Sequence, residues 1–227
     1  MKRLSFSLFC LLLLLATAVQ VNADIIFWQP LTSDLPHKGG RLSNISSTYV
    51  ADEFTLASDA LVTQIDWYGN YEGSLVPGPT DFRVQIFSDN SGLPGRSVFQ
   101  DTVTVTGVDT GLVNELRHSV ISYSATLNNP FTATASTVYY FSIADADTAT
   151  SSAWRWENSD YQLTSETFAW NPSTAAWNLQ TRNAFAFTLH ETQPVPEPAS
   201  LALFGLGAVG VGLLARRRNQ KARASQD

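Results

Sequence analysis

The side chains able to do chemistry in this 227-residue chain are few and scattered. His37, His118 and His190 share no short spacing with one another, with the single cysteine or with a glutamate. Zinc sites in proteins rely on such spacings, so isolated surface histidines are expected. Cys10 lies in the apolar N-terminus, which leaves residues 24–227 without disulfide or thiolate chemistry. No Gly-x-Ser-x-Gly elbow is present. Glycoside cleavage needs two facing carboxyl groups, and Asp52, Glu53, Asp66, Glu72, Asp145, Asp147 and Glu157 supply the residue type. Solvated carboxylates on an acidic chain are the expectation for these, so neither enzyme activity nor a catalytic residue is predicted.

Two other chemistries fit better. Calcium takes about six to eight hard oxygens, often from turns rich in Asp and Asn. Residues 88–92, SDNSG, and 144–148, ADADT, are such turns. Asp89, Asn90, Asp145 and Asp147 are therefore calcium candidates, although the first turn lacks the closing glutamate of an EF-hand loop and Asx-turn geometry explains it without metal. No other cofactor is expected. The chain also holds six tryptophans, four of them late: Trp154, Trp156, Trp170 and Trp177. Trp154 and Trp156 share a face if their segment is a strand. Exposed indoles stack on sugar rings, with Arg155 and Asn158 adding hydrogen bonds, so these four form a candidate binding set for an exopolysaccharide. The favoured reading is nonetheless that they fill the core of a disulfide-free sandwich, as expected for Trp28 and Trp67, because large aromatics dominate core burial.

Strands must position these residues. Alternation of apolar and polar side chains, broken by Gly, Pro, Asn and Asp, predicts strands at 25–28, 49–56, 61–69, 82–86, 98–106, 115–127, 137–144, 153–157, 168–170, 177–180 and 184–190. In the third, Leu61, Thr63, Ile65 and Trp67 share one face, with Gln64 and Asp66 turned outward. Phe82, Val84 and Ile86 alternate with Arg83 and Gln85; Tyr139, Phe141 and Ile143 share a face, as do Phe185, Phe187 and Leu189. No stretch of the body sustains a 3.6-residue period. The expected fold is all-β: an antiparallel, jelly-roll-like sandwich, framed by an N-terminal signal helix and a C-terminal transmembrane helix.

Charge narrows the partners. Residues 24–199 carry nineteen acidic against seven basic side chains, net −12. Such a surface repels nucleic acid and anionic membranes.

The two ends carry the clearest signals. Residues 1–23 read as a secretory signal: Lys2 and Arg3, an apolar core through 11–15, then Val21-Asn22-Ala23 before the cut. Residues 201–215 hold no charge and no proline, and at about 1.5 Å per residue they span about 22 Å. That is short for a bilayer core of about 30 Å, but Ala199 and Ser200 extend it and Arg216, Arg217 and Arg218 snorkel to the cytoplasmic interface. Gly205, Gly207 and Gly210 mimic a dinucleotide fingerprint without the strand, helix and acidic residue that motif requires.

Val195-Pro196-Glu197-Pro198, the apolar run and the Arg216–Arg218 block together resemble the PEP-CTERM sorting signal of Gram-negative bacteria. The resemblance implies an exosortase as processing partner, a membrane-anchored precursor, and delivery to the cell surface or extracellular matrix. A second resemblance runs from Asp52 to Glu157, through Ala51-Asp52-Glu53-Phe54, Ile65-Asp66-Trp67-Tyr68-Gly69, Phe82-Arg83-Val84-Gln85-Ile86-Phe87, Gly92-Leu93-Pro94-Gly95, Tyr139-Tyr140-Phe141-Ser142-Ile143 and Trp154-Arg155-Trp156. It is similar to a β-sandwich body of secreted, surface-sorted bacterial proteins. The expected organisation is a signal peptide at 1–23, a sandwich at 24–191, a proline-rich stalk at 192–199, a transmembrane sorting helix with arginine stop at 200–218 and a cytoplasmic tail at 219–227. The expected role is structural or adhesive, with carbohydrate binding as the alternative and a secreted hydrolase behind both.

Overall fold

The fold rests on strands whose apolar positions converge from two sheets. The computed structural model describes residues 23–32, 39–72, 78–146, 153–159, 166–180 and 184–192. In chain order the strands are β1 (Ala23–Gln29), β2 (Arg41–Leu42), β3 (Val50–Phe54), β4 (Ala60–Tyr71), β5 (Thr80–Asp89), β6 (Pro94–Val105) and β7 (Val108–Val113). They continue as β8 (Ser119–Ala133), β9 (Tyr139–Asp145), β10 (Trp154–Trp156), β11 (Thr167–Asn171), β12 (Ala176–Gln180) and β13 (Phe187–Thr192). No helix occurs among the described residues. The expected signal segment short of Ala23 and the expected transmembrane helix at 200–218 lie outside them.

Residues 23–192 form one compact unit. In its first sheet β4 is central: β8 and then β7 line one edge, while β13 with β1, and β10 with β2, share the other. The second sheet runs β12-β11-β3-β9-β5-β6. Every strand pairing is antiparallel. The sheets meet through aromatic contacts: Trp67 on Phe82 at 5.3 Å, Phe82 on Trp154 at 5.0 Å, and Phe187 on Phe141 at 4.8 Å. Each large side chain buried this way contributes roughly 1.5–3 kcal/mol, which supplies a disulfide-free sandwich with its stability.

Alternation holds where strands are regular. Phe82, Val84 and Ile86 point inward, as do Tyr139, Phe141 and Ile143. It fails at bulges. The register of β4 slips between Val62 and Gln64, and the extra residue exchanges the faces on either side. Val62 is consequently fully buried and Leu61 exposed, the reverse of the expected phase. A second slip between Ile25 and Phe27 sends Phe27 onto Phe54 and Phe187 and leaves Trp28 60 % exposed. Trp28 is thus not a core residue. The predicted strand at 115–127 begins only at Ser119, because Arg117 takes a left-handed φ of 61° in the preceding turn.

One clamp holds the sheets together at their margin. Asp101 of β6 accepts the backbone N–H groups of Asn128 (2.7 Å) and Asn129 (3.3 Å) in β8. At the first sheet's edge Ala23 pairs with Thr192, so the chain enters and leaves the body side by side.

Candidate functional site

The outer face of the second sheet departs from the polar pattern of a solvated sheet. Phe87, Tyr140 and Phe168, from β5, β9 and β11, point outward there yet are 5 %, 0 % and 0 % exposed. The hairpin of β11 and β12 covers them. Trp177 of β12 packs its ring on Phe87 (5.2 Å), Tyr49 (5.5 Å) and Trp170 (5.5 Å). Four strand steps separate β12 from β5 along the sheet, about 19 Å at about 4.8 Å per step. A 5.2 Å contact therefore requires the hairpin to fold back over the face.

Local chemistry fixes both turns. In the β11–β12 turn, Ser173 N–H donates to Asn171 Oδ1 (2.9 Å) and Ala175 takes a φ of 50°. In the β5–β6 turn, Gly92 N–H donates to Asp89 Oδ1 (2.9 Å) and Asn90 N–H to the Leu93 carbonyl (2.8 Å). Gly92 has a φ of 81°, a region glycine enters without strain.

Between the two turns lies a cleft of about 600 Å³, lined among others by Asp89, Asn90, Leu93, Arg96, Trp170 and Trp177. Both indoles are half-buried. Asp89 Oδ1 accepts a second hydrogen bond from Tyr140 Oη at 3.1 Å. Burial first, then this bond and the charges of Asp89, Glu53 and Glu166, push the Tyr140 phenol far above its ordinary range. Burial, then Glu166 and Asp89, likewise push Glu53 up. Arg83 stacks over the Tyr49 ring at 5.1 Å, behind Trp170. Aromatic faces beside a carboxylate, an amide and a guanidinium suit a ligand with apolar ring faces and hydroxyl edges.

The structure separates the four late tryptophans into two pairs. Trp170 and Trp177 line the cleft. Trp154 and Trp156 are fully buried in the intersheet core, where Trp156 stacks on Phe185 at 4.6 Å and donates its Nε1–H to the Ala186 carbonyl at 3.0 Å. With no ring face exposed, neither can carry a sugar; that expectation is corrected. Arg155, between them, forms an ion pair with Glu72 at 2.6 Å.

The calcium candidates are likewise divided. Asp89 and Asn90 stand at the cleft, whereas Asp145 is buried at the far end of β9, opposite Phe82. Asp147 lies outside the described residues. Among the described residues, no group of three His, Cys, Asp or Glu is placed to hold a metal ion.

His190 is not an isolated surface residue: it is largely buried, its Nε2 2.6 Å from Asp66 Oδ2. His118 Nδ1 lies 3.2 Å from Asn70 Oδ1, and His37 lies outside the described residues. Glu157 is fully buried, its Oε1 accepting the amides of Asn70 (2.6 Å) and Asn114 (3.0 Å). Burial pushes its carboxyl up, against the pull of Asn114 and Asn70. Val195–Pro198 and Arg216–Arg218 lie outside the described residues.

Residues 27–202 match a family model described as a domain of unknown function (DUF7901). Residues 194–218 match the PEP-CTERM protein-sorting motif. No curated protein matches the chain. The motif implies processing by an exosortase, export and sorting to the surface.

Proposed function

We propose that this chain, a member of the DUF7901 domain family, is a non-enzymatic adhesive module that holds glycan in its surface cleft once sorted outside the cell. The observation that carries the reading is the convergence of Trp170 and Trp177 with Asp89, Asn90 and Arg96 around one open cleft. Indole faces bind the apolar faces of pyranose rings, and the polar rim meets their hydroxyl edges. Asp89 acts here as a hydrogen-bond acceptor, oriented by Tyr140 and Gly92, and no proton transfer is assigned to it.

The architecture supports a display role. The strand orders β1-β13-β4-β8 and β3-β9-β5-β6 correspond to the two four-stranded sheets of a jelly roll, with β2, β7, β10, β11 and β12 as additions. The apolar residues 201–215 and Arg216–Arg218 would anchor the precursor before exosortase processing.

The test is binding of matrix polysaccharides to the full-length chain, followed by calorimetry and tryptophan fluorescence. Trp170→Ala and Trp177→Ala are expected to weaken binding at least tenfold, about 1.4 kcal/mol. Asp89→Asn, which keeps a side-chain acceptor, is expected to weaken it less. Absence of binding across a broad glycan panel rejects the proposal.

A further inference from the structure

Resting on the glycan role of the cleft, we infer that it selects glycans whose backbone turns between successive sugar rings and rejects flat, ribbon-like ones. The two indoles are mounted at an angle. Trp170 and Trp177 stand opposite each other in the register of the β11–β12 hairpin, with ring centres 5.5 Å apart and ring planes inclined by 67°. Their neighbours fix that inclination. Trp177 meets the Phe87 ring at 77° and the Tyr49 ring at 87°, so it stands edge-on to the aromatic side chains it packs against. Trp170 runs nearly parallel to Tyr49, at 21° and 6.0 Å, and its backbone N–H donates to the Tyr49 carbonyl at 2.8 Å. Rotating either indole to match the other would break these contacts.

A pyranose ring stacks with its apolar face parallel to an indole, so rings seated on both tryptophans are inclined to each other by about the same angle. Cellulose-type chains do not meet this demand, because successive rings lie in one flat ribbon. Such a chain stacks on one indole and leaves the other. In laminarin- and amylose-type chains the linkage turns each ring against the last, and the backbone winds into a helix that offers a face to both. The shape of the cleft adds to the selection. At about 600 Å³ between the β5–β6 and β11–β12 turns, it falls within the range of about 300–1,000 Å³ typical of pockets that enclose small ligands. A crystalline ribbon surface needs an open, flat platform instead. Forfeiting one of two ring contacts should weaken binding about tenfold, the loss expected on removing one indole.

Three neutral glucose hexamers that differ only in linkage isolate backbone shape: cellohexaose, laminarihexaose and maltohexaose. Each is titrated into the full-length chain by calorimetry, and depletion of the protein by microcrystalline cellulose is measured alongside. At least one of the two helical hexamers is expected to bind about tenfold tighter than cellohexaose, and the crystalline polymer to retain no protein. Trp177→Ala leaves a single ring plane and is expected to bring the linkage preference down to about twofold or less. The wild-type comparison decides the matter alone if that variant does not fold. Cellohexaose binding as tightly as the helical hexamers, retention on microcrystalline cellulose, or an unchanged preference in folded Trp177→Ala overturns the shape selection while leaving the cleft a glycan site. Binding of none of the three hexamers, with another glycan bound, also overturns it. No binding of any glycan overturns both readings.

Discussion

The contact between Trp154 and Gly69 offers a test of the core from both sides. Trp154 is fully buried in β10, its ring 5.0 Å from Phe82 and 6.4 Å from Tyr123. Gly69, on the neighbouring strand β4, has no side chain, and a Cβ placed there would come within 2.4 Å of Cζ2 and Nε1 of the indole. Trp154→Ala leaves a cavity and should cost about 3–5 kcal/mol, a large share of the roughly 5–15 kcal/mol that holds a domain together. Gly69→Ala forces the indole aside and should cost about 1–3 kcal/mol. In the double variant the new methyl enters space the indole has left. The two losses should then fall short of additivity by about 1 kcal/mol or more, since contacting sites couple by roughly 0.5–3 kcal/mol. Urea unfolding of the full-length chain, followed by far-ultraviolet circular dichroism, measures all three. Strict additivity, or a Trp154→Ala loss below about 1 kcal/mol, refutes this packing, since a buried indole truncated to Ala should cost several times that.

Other predictions concern charge and delivery. Glu157→Gln keeps an acceptor for the Asn70 and Asn114 amides but removes the ionisation. Because burial raises the folded-state value above the ordinary 4.5, the wild-type contribution is whole below 4.5 and declines as pH rises toward the folded value. The variant should therefore gain in melting temperature relative to wild type on moving from acid to neutral pH; parallel curves contradict this. Burial would raise Asp101, but its bonds from Asn128, Thr102 and Asn129 outweigh it and hold the carboxyl below its ordinary 3.8. Its contribution is present above 3.8 and lost as pH falls through the folded value. Asp101→Ala should cost about 1.5–3 kcal/mol at neutral pH, the range for hydrogen bonds to a charged group, and the loss should shrink in acid unfolding experiments. Pro198→Ala, which breaks the Pro-Glu-Pro element, should reduce the surface-exposed fraction measured by protease shaving of intact cells, leaving more unprocessed precursor.

Much of the β-architecture was legible because pleated strands with one buried face alternate. Arg83 and Gln85 against Phe82, Val84 and Ile86 are read directly from the chain, and so is the Tyr139, Phe141, Ile143 face. Bulges were not legible: nothing in the local sequence marks the slip beside Val62, or the one beside Ile25 that turns Trp28 outward. The turn at Arg117 was missed for a related reason, since a left-handed arginine carries no compositional signal. The cleft was half legible. Asp89 and Asn90 stood out as turn chemistry and Trp170 and Trp177 as ring chemistry, some eighty positions apart. Only the back-folded hairpin joins them, and long-range contact of that kind leaves no local pattern. Trp154 and Trp156 looked equivalent to the later pair because composition does not report depth. A glycine facing them across the strand pairing, Gly69, was the available hint of close packing.

The assigned indole N–H spectrum of the full-length chain during titration with a bound glycan tests the central claim most directly. Trp170 and Trp177 are predicted to shift in proportion to occupancy, while Trp67, Trp154 and Trp156 stay fixed in the core. Shifts confined to Trp28, or spread evenly over all six tryptophans, would contradict the assignment of the cleft.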